Sequence, residues 1–180
     1  MQYMASAIRA EVEAIVPHDE IERAHRADTL AWIASGAPLC RTAKPATPPR
    51  HLVSYFVVTD GTGLLLVDHR NAGLWLPTGG HVEPEEHPRE TVTRELVEEL
   101  GFAAPHPLGP PLMITQSTTI GLTTGHVDVS LWYVVTAPRS QALQWDIHEF
   151  VDARWFDFAD IPIMRSDPHI RRFVTKLRAS

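Results

Sequence analysis

Three glutamates, Glu95, Glu98 and Glu99, stand at i, i+3 and i+4 of a segment with helical patterning. At about 100° per residue they fall within one arc. Val92, Leu96, Leu100 and Val97 fill another arc and are expected to face a core. Carboxylates spaced in this way repel and weaken a helix by roughly a few tenths of a kcal/mol per pair. The acids belong to the stretch His81–Leu100, which holds seven glutamates against two arginines, a local charge of -5 within a net charge of -6 for the whole chain. A solvated acidic face is one reading of that stretch. Arg94 inside it, and Gly79-Gly80 just before it, point to another. Glycine lets a backbone carbonyl approach a cation closely, and hard divalent ions are held by carboxylates, waters and substrate phosphates.

Read as one string, Gly80, five residues, Glu86, seven residues, Arg94-Glu95-Leu96, one residue, Glu98-Glu99, one residue and Gly101-Phe102 resembles the Nudix box. The departures, Thr91-Val92-Thr93 before the Arg-Glu pair, Glu85 where many members carry Gly, and Thr78 ahead of the glycines, leave every ligand position intact. The resemblance implies hydrolysis of a diphosphate linkage in a nucleotide or nucleoside diphosphate derivative, with Mg²⁺ or Mn²⁺. It places Glu95, Glu98, Glu99 and the Gly80 carbonyl around the metal, and pairs Glu86 with Arg94 to hold loop and helix together. Arg94 and Glu98 then count among the catalytic residues. The family also implies an acid from a loop well after the box; Glu149 is the first candidate and Asp146 the second, beside the plainer reading of a solvated loop acid.

Substrate contacts are sought outside the box. Alternation places His126, Asp128, Ser130 and Trp132 on one face of a strand, where they must find partners or line a pocket. Arg70 could hold a phosphate and Trp75 stack on a base, although Trp75 could equally be core and Arg70 surface. His81, beside Gly80, falls near the phosphates in this reading. Arg165, Arg171, Arg172, Lys176 and Arg178 make the last helix basic, which is read as a solvated face.

The elements that must position these groups can be read in outline. Residues 1 to about 36 show two helical stretches separated by Pro17, and Ala37–Arg50, with four prolines, reads as an irregular arm. A hairpin is expected from Leu52–Thr59 through Asp60–Gly63 to Leu64–Asp68, followed by a loop as far as Gly79-Gly80. A helix should run from Pro88 to Leu100 and stop at Gly101. Further strands are expected at 112–119, 127–136 and 153–158, with a final helix after Asp167-Pro168. Strands and helices mix without strict alternation, so the expected class is α+β, and the resemblance sharpens this to an α/β/α sandwich around a mixed sheet. The division is residues 1–50 as helical extension and linker, and 51–180 as the hydrolase domain.

A chain of 180 residues with 44% hydrophobic and 21% charged composition suits one globular domain with an appendage. No stretch is apolar enough to span a bilayer, and no secretory signal is evident at the start. One cysteine, Cys40, allows neither an internal disulfide nor a thiolate metal cage, and a reducing cytoplasm is the expected compartment. The net charge gives no reason to bind nucleic acid or an anionic membrane, which leaves a small nucleotide-type substrate as the expected partner. The apolar stripes of residues 1–36 are expected to cover the domain or the partner subunit of a homodimer. Two alternatives share the fold: a non-catalytic ligand sensor, in which box glutamates are typically lost, and an isopentenyl diphosphate isomerase-type enzyme, which needs an active-site cysteine. Cys40 falls outside the box domain.

Overall fold

The computed structural model describes residues 2–44, 47–104, 107–119 and 125–180. In chain order the elements are α1 (Gln2–Ala14), α2 (Glu20–Ala34), β1 (Arg50–Thr59), β2 (Gly63–His69), β3 (Leu74–Leu76), β4 (Thr78–His81), α3 (Pro88–Leu100), β5 (Met113–Thr118), β6 (Val127–Thr136), β7 (Phe150–Asp157) and α4 (Ile170–Leu177). One sheet contains every strand, in the order β3-β2-β1-β6-β5, with β4 pairing to β1 and β7 to β2. The β1–β6 pair is parallel and all others are antiparallel. This is the mixed α+β arrangement expected. Among the described residues no helix is long and apolar enough to cross a membrane.

Alternation along β1 and β6 divides the molecule into two layers of core. Leu52, Phe56, Val58, Val129, Leu131 and Tyr133 pack against Val92, Leu96 and Leu100 of α3 and Ile8, Val12 and Ile15 of α1. On the other face Val57, Leu64, Leu66 and Trp132 meet Ile170 and Phe173 of α4. Helix α3 begins and ends where its sequence says it should. His87 accepts from Arg89 N while its own N–H donates to the Glu90 carboxylate, Pro88 occupies the first turn, and Gly101 closes the helix at φ 75°. Val97 was expected to face the core with Val92, Leu96 and Leu100 but is 51% exposed. It lies one helical step, about 100°, past Leu96, outside the narrower arc that Val92, Leu96 and Leu100 share.

Three other expectations are corrected. The segment before Gly79-Gly80 is not a plain loop: β3 pairs with β2, and β4 pairs with β1 at Val53↔His81 through Phe56↔Thr78. Strand β7 starts at Phe150, three residues before the expected Ala153, so Glu149 adjoins a strand. The basic last helix is not simply solvated. Arg172 donates to both Asp19 carboxylate oxygens at 2.6 and 2.7 Å, and Lys176, largely buried, donates to Glu22 at 2.6 Å.

These contacts show what residues 1–36 do. They lie over their own domain, with Ile8, Val12, Ile15 and Ile33 sharing its core. Glu11 receives Arg89 of α3 at 2.6 and 3.2 Å and the Tyr133 hydroxyl at 3.3 Å. Along the free edge of β5, Ile114 N donates to Glu22 and Gln116 N to His25 Nδ1, so α2 closes a sheet edge that would otherwise be open to pairing with another chain. Glu22 is 0% exposed, and removing one partner of a buried ion pair leaves an uncompensated charge. Lys176→Met is therefore expected to cost about 3–5 kcal/mol and to lower Tm by on the order of 10 °C for a domain of this size. A melting curve within about 2 °C of the parent, roughly 1 kcal/mol or less, would show that Glu22 finds another partner.

Candidate active site

Strand β4 brings the glycine pair under α3. Gly79 is fixed by close packing, since a β-carbon there would lie 2.6 Å from the Ser54 carbonyl oxygen. Its N–H donates to Glu99 Oε2 at 3.1 Å. At Gly80 a β-carbon would overlap the Glu95 carboxylate, so this glycine keeps open the space that the carboxylate fills. Gly80→Ala displaces the Glu95 side chain from Cγ outward and meets no backbone atom among its nearest neighbours. The variant is therefore expected to fold with nearly parental Tm but to bind Mg²⁺ at least about tenfold more weakly, a loss of 1.4 kcal/mol. Unchanged affinity in a calorimetric titration would mean that Glu95 is not a ligand.

The carboxylates differ sharply in environment. Glu99 is buried; burial, then the charges of Glu95 and Glu149, push its pKa well above the ordinary carboxylate value, against the hydrogen bond from Gly79. Glu95 is raised by burial and by the charges of Glu98 and Glu149, with Arg94 opposing. Glu98 is 58% exposed. Glu149 lies at the surface before β7, and its charge reaches both Glu95 and Glu99. Four acids from α3 and the β7 approach thus crowd one region beside Gly79-Gly80. Asp146 instead caps its own turn, accepting from His148 N at 2.7 Å.

Arg94 sits at the centre of the arrangement. It donates to Glu86 at 2.9 and 3.1 Å, to Glu95 at 2.6 Å and more weakly to Glu98 at 3.4 Å. It also reaches the His81 carbonyl at 3.4 Å, tying α3 to the preceding loop and to β4. Burial would raise the Glu86 carboxyl, but hydrogen bonds from Arg94, Glu83 N and the Thr91 hydroxyl bring it below its usual value. Thr91, one of the departures from the box pattern, therefore strengthens the pairing. Glu85 holds a left-handed backbone at φ 66°, a conformation in which glycine is strain-free.

The substrate-contact candidates separate into two groups. Arg70 is exposed and donates from Nε to the Ile147 carbonyl at 2.9 Å. Trp75 is buried in the second core layer, edge-to-face with Phe156, and presents no free ring face for a base. His81, His126 and Asp128 do come together, and they do so with His51, which the sequence reading did not single out. The register His51↔Asp128 places that histidine beside Asp128 across the parallel β1–β6 pair. Burial, then the charge of Arg41, lowers the His81 pKa to about 4. Cys40 packs by the box loop, where burial and the charges of Glu86 and Glu85 push its thiol up to about 11, so thiolate chemistry at neutral pH is closed to it.

A family model for the NUDIX domain matches residues 49–177. Among curated proteins, the CTP pyrophosphohydrolase of Escherichia coli (strain K12) is 32% identical over 124 residues, covering 64% of this chain and 88% of that protein. Solved structures give the same fold. A NUDIX family hydrolase from Clostridium perfringens aligns with TM-score 0.57 at 21% identity, over 72% of this chain and 97% of the other. A MutT NUDIX hydrolase from Burkholderia pseudomallei gives 0.55 at 24%, over 63% and 87%.

Proposed function

The chain belongs to the NUDIX domain family and is a Nudix pyrophosphohydrolase, and from that premise we propose that it hydrolyses the diphosphate linkage of a nucleotide or nucleotide derivative, with Mg²⁺ or Mn²⁺ as cofactor. The observation that carries this reading is the crowding of Glu95, Glu98, Glu99 and Glu149 beside Gly79-Gly80, with two of the acids raised by burial and mutual repulsion. An all-oxygen donor set of this kind suits a hard divalent ion, and the absence of a side chain at Gly80 lets the Glu95 carboxylate come close to that backbone. Such an ion, when bound, neutralises phosphate oxygens and polarises phosphorus.

The chain's own residues supply the rest. Glu95, Glu98, Glu99 and the Gly80 carbonyl would hold the ion, and the Glu86–Arg94 pair fixes helix against loop. Glu149 takes the proton from the attacking water as its oxygen bonds to phosphorus and the bridging P–O bond breaks, with Glu98 the other acid placed for that task. The catalytic unit in this reading is residues 51–180, with 1–50 as its cover. Similarity to a CTP pyrophosphohydrolase makes pyrimidine nucleoside triphosphates the first substrates to examine. The test is product release from a panel of nucleoside triphosphates, nucleotide sugars, dinucleoside polyphosphates and modified nucleotides with Mg²⁺. Hydrolysis of at least one member is expected, and silence across the panel with folded protein would overturn the proposal.

A further inference from the structure

The imidazoles of His51, His81 and His126 and the carboxylate of Asp128 converge on the sheet face opposite α3, each offering one ligand atom within 4.8 Å of the others. His51 Nε2 lies 3.2 Å from Asp128 Oδ1, His126 Nε2 3.3 Å, and His81 Nε2 4.0 Å. Among the described residues this is the one group of three or more His, Cys, Asp or Glu side chains gathered so tightly. Three strands build it: β1 gives His51, β4 gives His81, and β6 gives Asp128, with His126 immediately before β6.

Two of the ring tautomers are set from outside the cluster. His51 Nδ1 lies 2.9 Å from the Pro48 carbonyl oxygen, which only accepts, so in the neutral imidazole Nδ1 carries the proton and Nε2 offers a lone pair. The Thr119 hydroxyl donates to the His126 carbonyl, which leaves its oxygen to accept from His126 Nδ1 at 3.0 Å and again frees Nε2. His51 and His126 are 0% and 4% exposed. His51 Nε2, His81 Nε2 and Asp128 Oδ1 are buried atoms with no hydrogen-bond partner. Buried polar atoms are ordinarily satisfied, and here three without a partner converge.

We propose that His51, His81, His126 and Asp128 form a second metal site, an N₃O set that takes Zn²⁺, separate from the carboxylate site under α3. Tetrahedral zinc with bonds of about 2.0–2.1 Å separates its ligand atoms by about 3.3–3.4 Å, close to the His51 and His126 distances to Asp128; a small inward movement of His81 completes the shell. Imidazole ligands favour Zn²⁺ and its neighbours over Mg²⁺. Hydrogen bonds at the far nitrogen of metal-bound histidines fix ring and tautomer, and Pro48 and Thr119 supply two of them here. His81, His126 and Asp128 then act as ligands to an ion rather than as direct contacts to substrate. Because His81 directly follows Gly80, and strand side chains alternate, β4 would carry one metal site on each face, and the zinc would clamp that strand to β1 and β6.

The inference does not rest on the hydrolytic reading, and the experiment keeps the two apart. Chelator-stripped full-length protein is titrated with Co²⁺, a visible stand-in for Zn²⁺, in a large excess of Mg²⁺ that occupies the carboxylates. One equivalent with the intense bands of four-coordinate Co²⁺, displaced by one equivalent of Zn²⁺, is expected. Asp128→Asn and His126→Gln should each weaken binding at least about 100-fold, and the outer-sphere change Thr119→Val about 10- to 100-fold. Glu99→Gln should leave the spectrum unchanged. Circular dichroism in chelator confirms that each variant is folded, and the Thr119 variant tests the site should a ligand variant unfold. Only six-coordinate Co²⁺, no saturable binding, or four-coordinate bands that persist in both ligand variants would overturn the proposal.

Discussion

Chelation with EDTA is expected to abolish hydrolysis, and Glu99→Gln to lower kcat by at least about 10³-fold even at saturating Mg²⁺. A bound cation contributes several kcal/mol of charge stabilisation in the transition state, and each 1.36 kcal/mol is about a factor of ten in rate. Glutamine keeps the size of Glu99 and an oxygen that can still accept from Gly79 N–H, so the loss isolates the charge. The same substitution has an opposite effect on the metal-free fold. The folded-state pKa of Glu99 is raised, so the stability linked to this group is fully present below its unfolded pKa and is lost as pH rises through the folded value. The glutamine variant lacks that loss, and its Tm in EDTA should pull ahead of the parent as pH increases. Parallel Tm curves from pH 4.5 upward, about the ordinary glutamate pKa, would show that Glu99 carries no raised pKa; full turnover of the variant, or of the parent in chelator, would sink the metal mechanism.

Glu149→Gln is expected to bind Mg²⁺ almost normally and to lose about 10²- to 10⁴-fold in rate, the usual contribution of a general base. Glu149 stands outside the helix and at the surface, yet its charge is felt by both buried acids. It is therefore within electrostatic range of the two buried acids without being enclosed with them. Glu98→Gln supplies the contrast, with metal affinity and turnover expected to fall together. Calorimetric titration beside steady-state kinetics separates the two cases. A fully active Glu149 variant next to a metal-binding, inactive Glu98 variant would move the base onto α3.

The box helix and its acids were legible because their signals are local. Pro88 and Gly101 mark the ends of α3, a periodic apolar stripe fills it, and the acids keep a fixed spacing along one chain segment. What stayed hidden depends on partners distant in sequence. Strand β4 contains Gly79-Gly80, which has no strand propensity of its own, and exists because β1 pairs with it. His51 has no unusual neighbours in sequence and acquires a role only through the β1–β6 register that sets it against Asp128. Lys176 and Arg172 look like ordinary surface cations until α2 brings Glu22 and Asp19 to them. The alternation around His126 and Asp128 was visible; that their neighbours are two further imidazoles was not.

The Glu22–Lys176 pair spans 154 positions of sequence, and that separation matters while the protein is being made. At about 5–20 residues per second, a ribosome takes on the order of 10 to 30 s between polymerising the acid and polymerising its cation. For that interval a carboxylate destined for complete burial has no counter-charge, so α2 gains little by settling over β5 early. The β5 edge is complete at Thr118 and is left open for the shorter wait until Lys176, about 3 to 12 s at the same rate. The nascent chain is then most exposed to edge-to-edge association just before α4 emerges, and a holdase that shields that edge would act in that window.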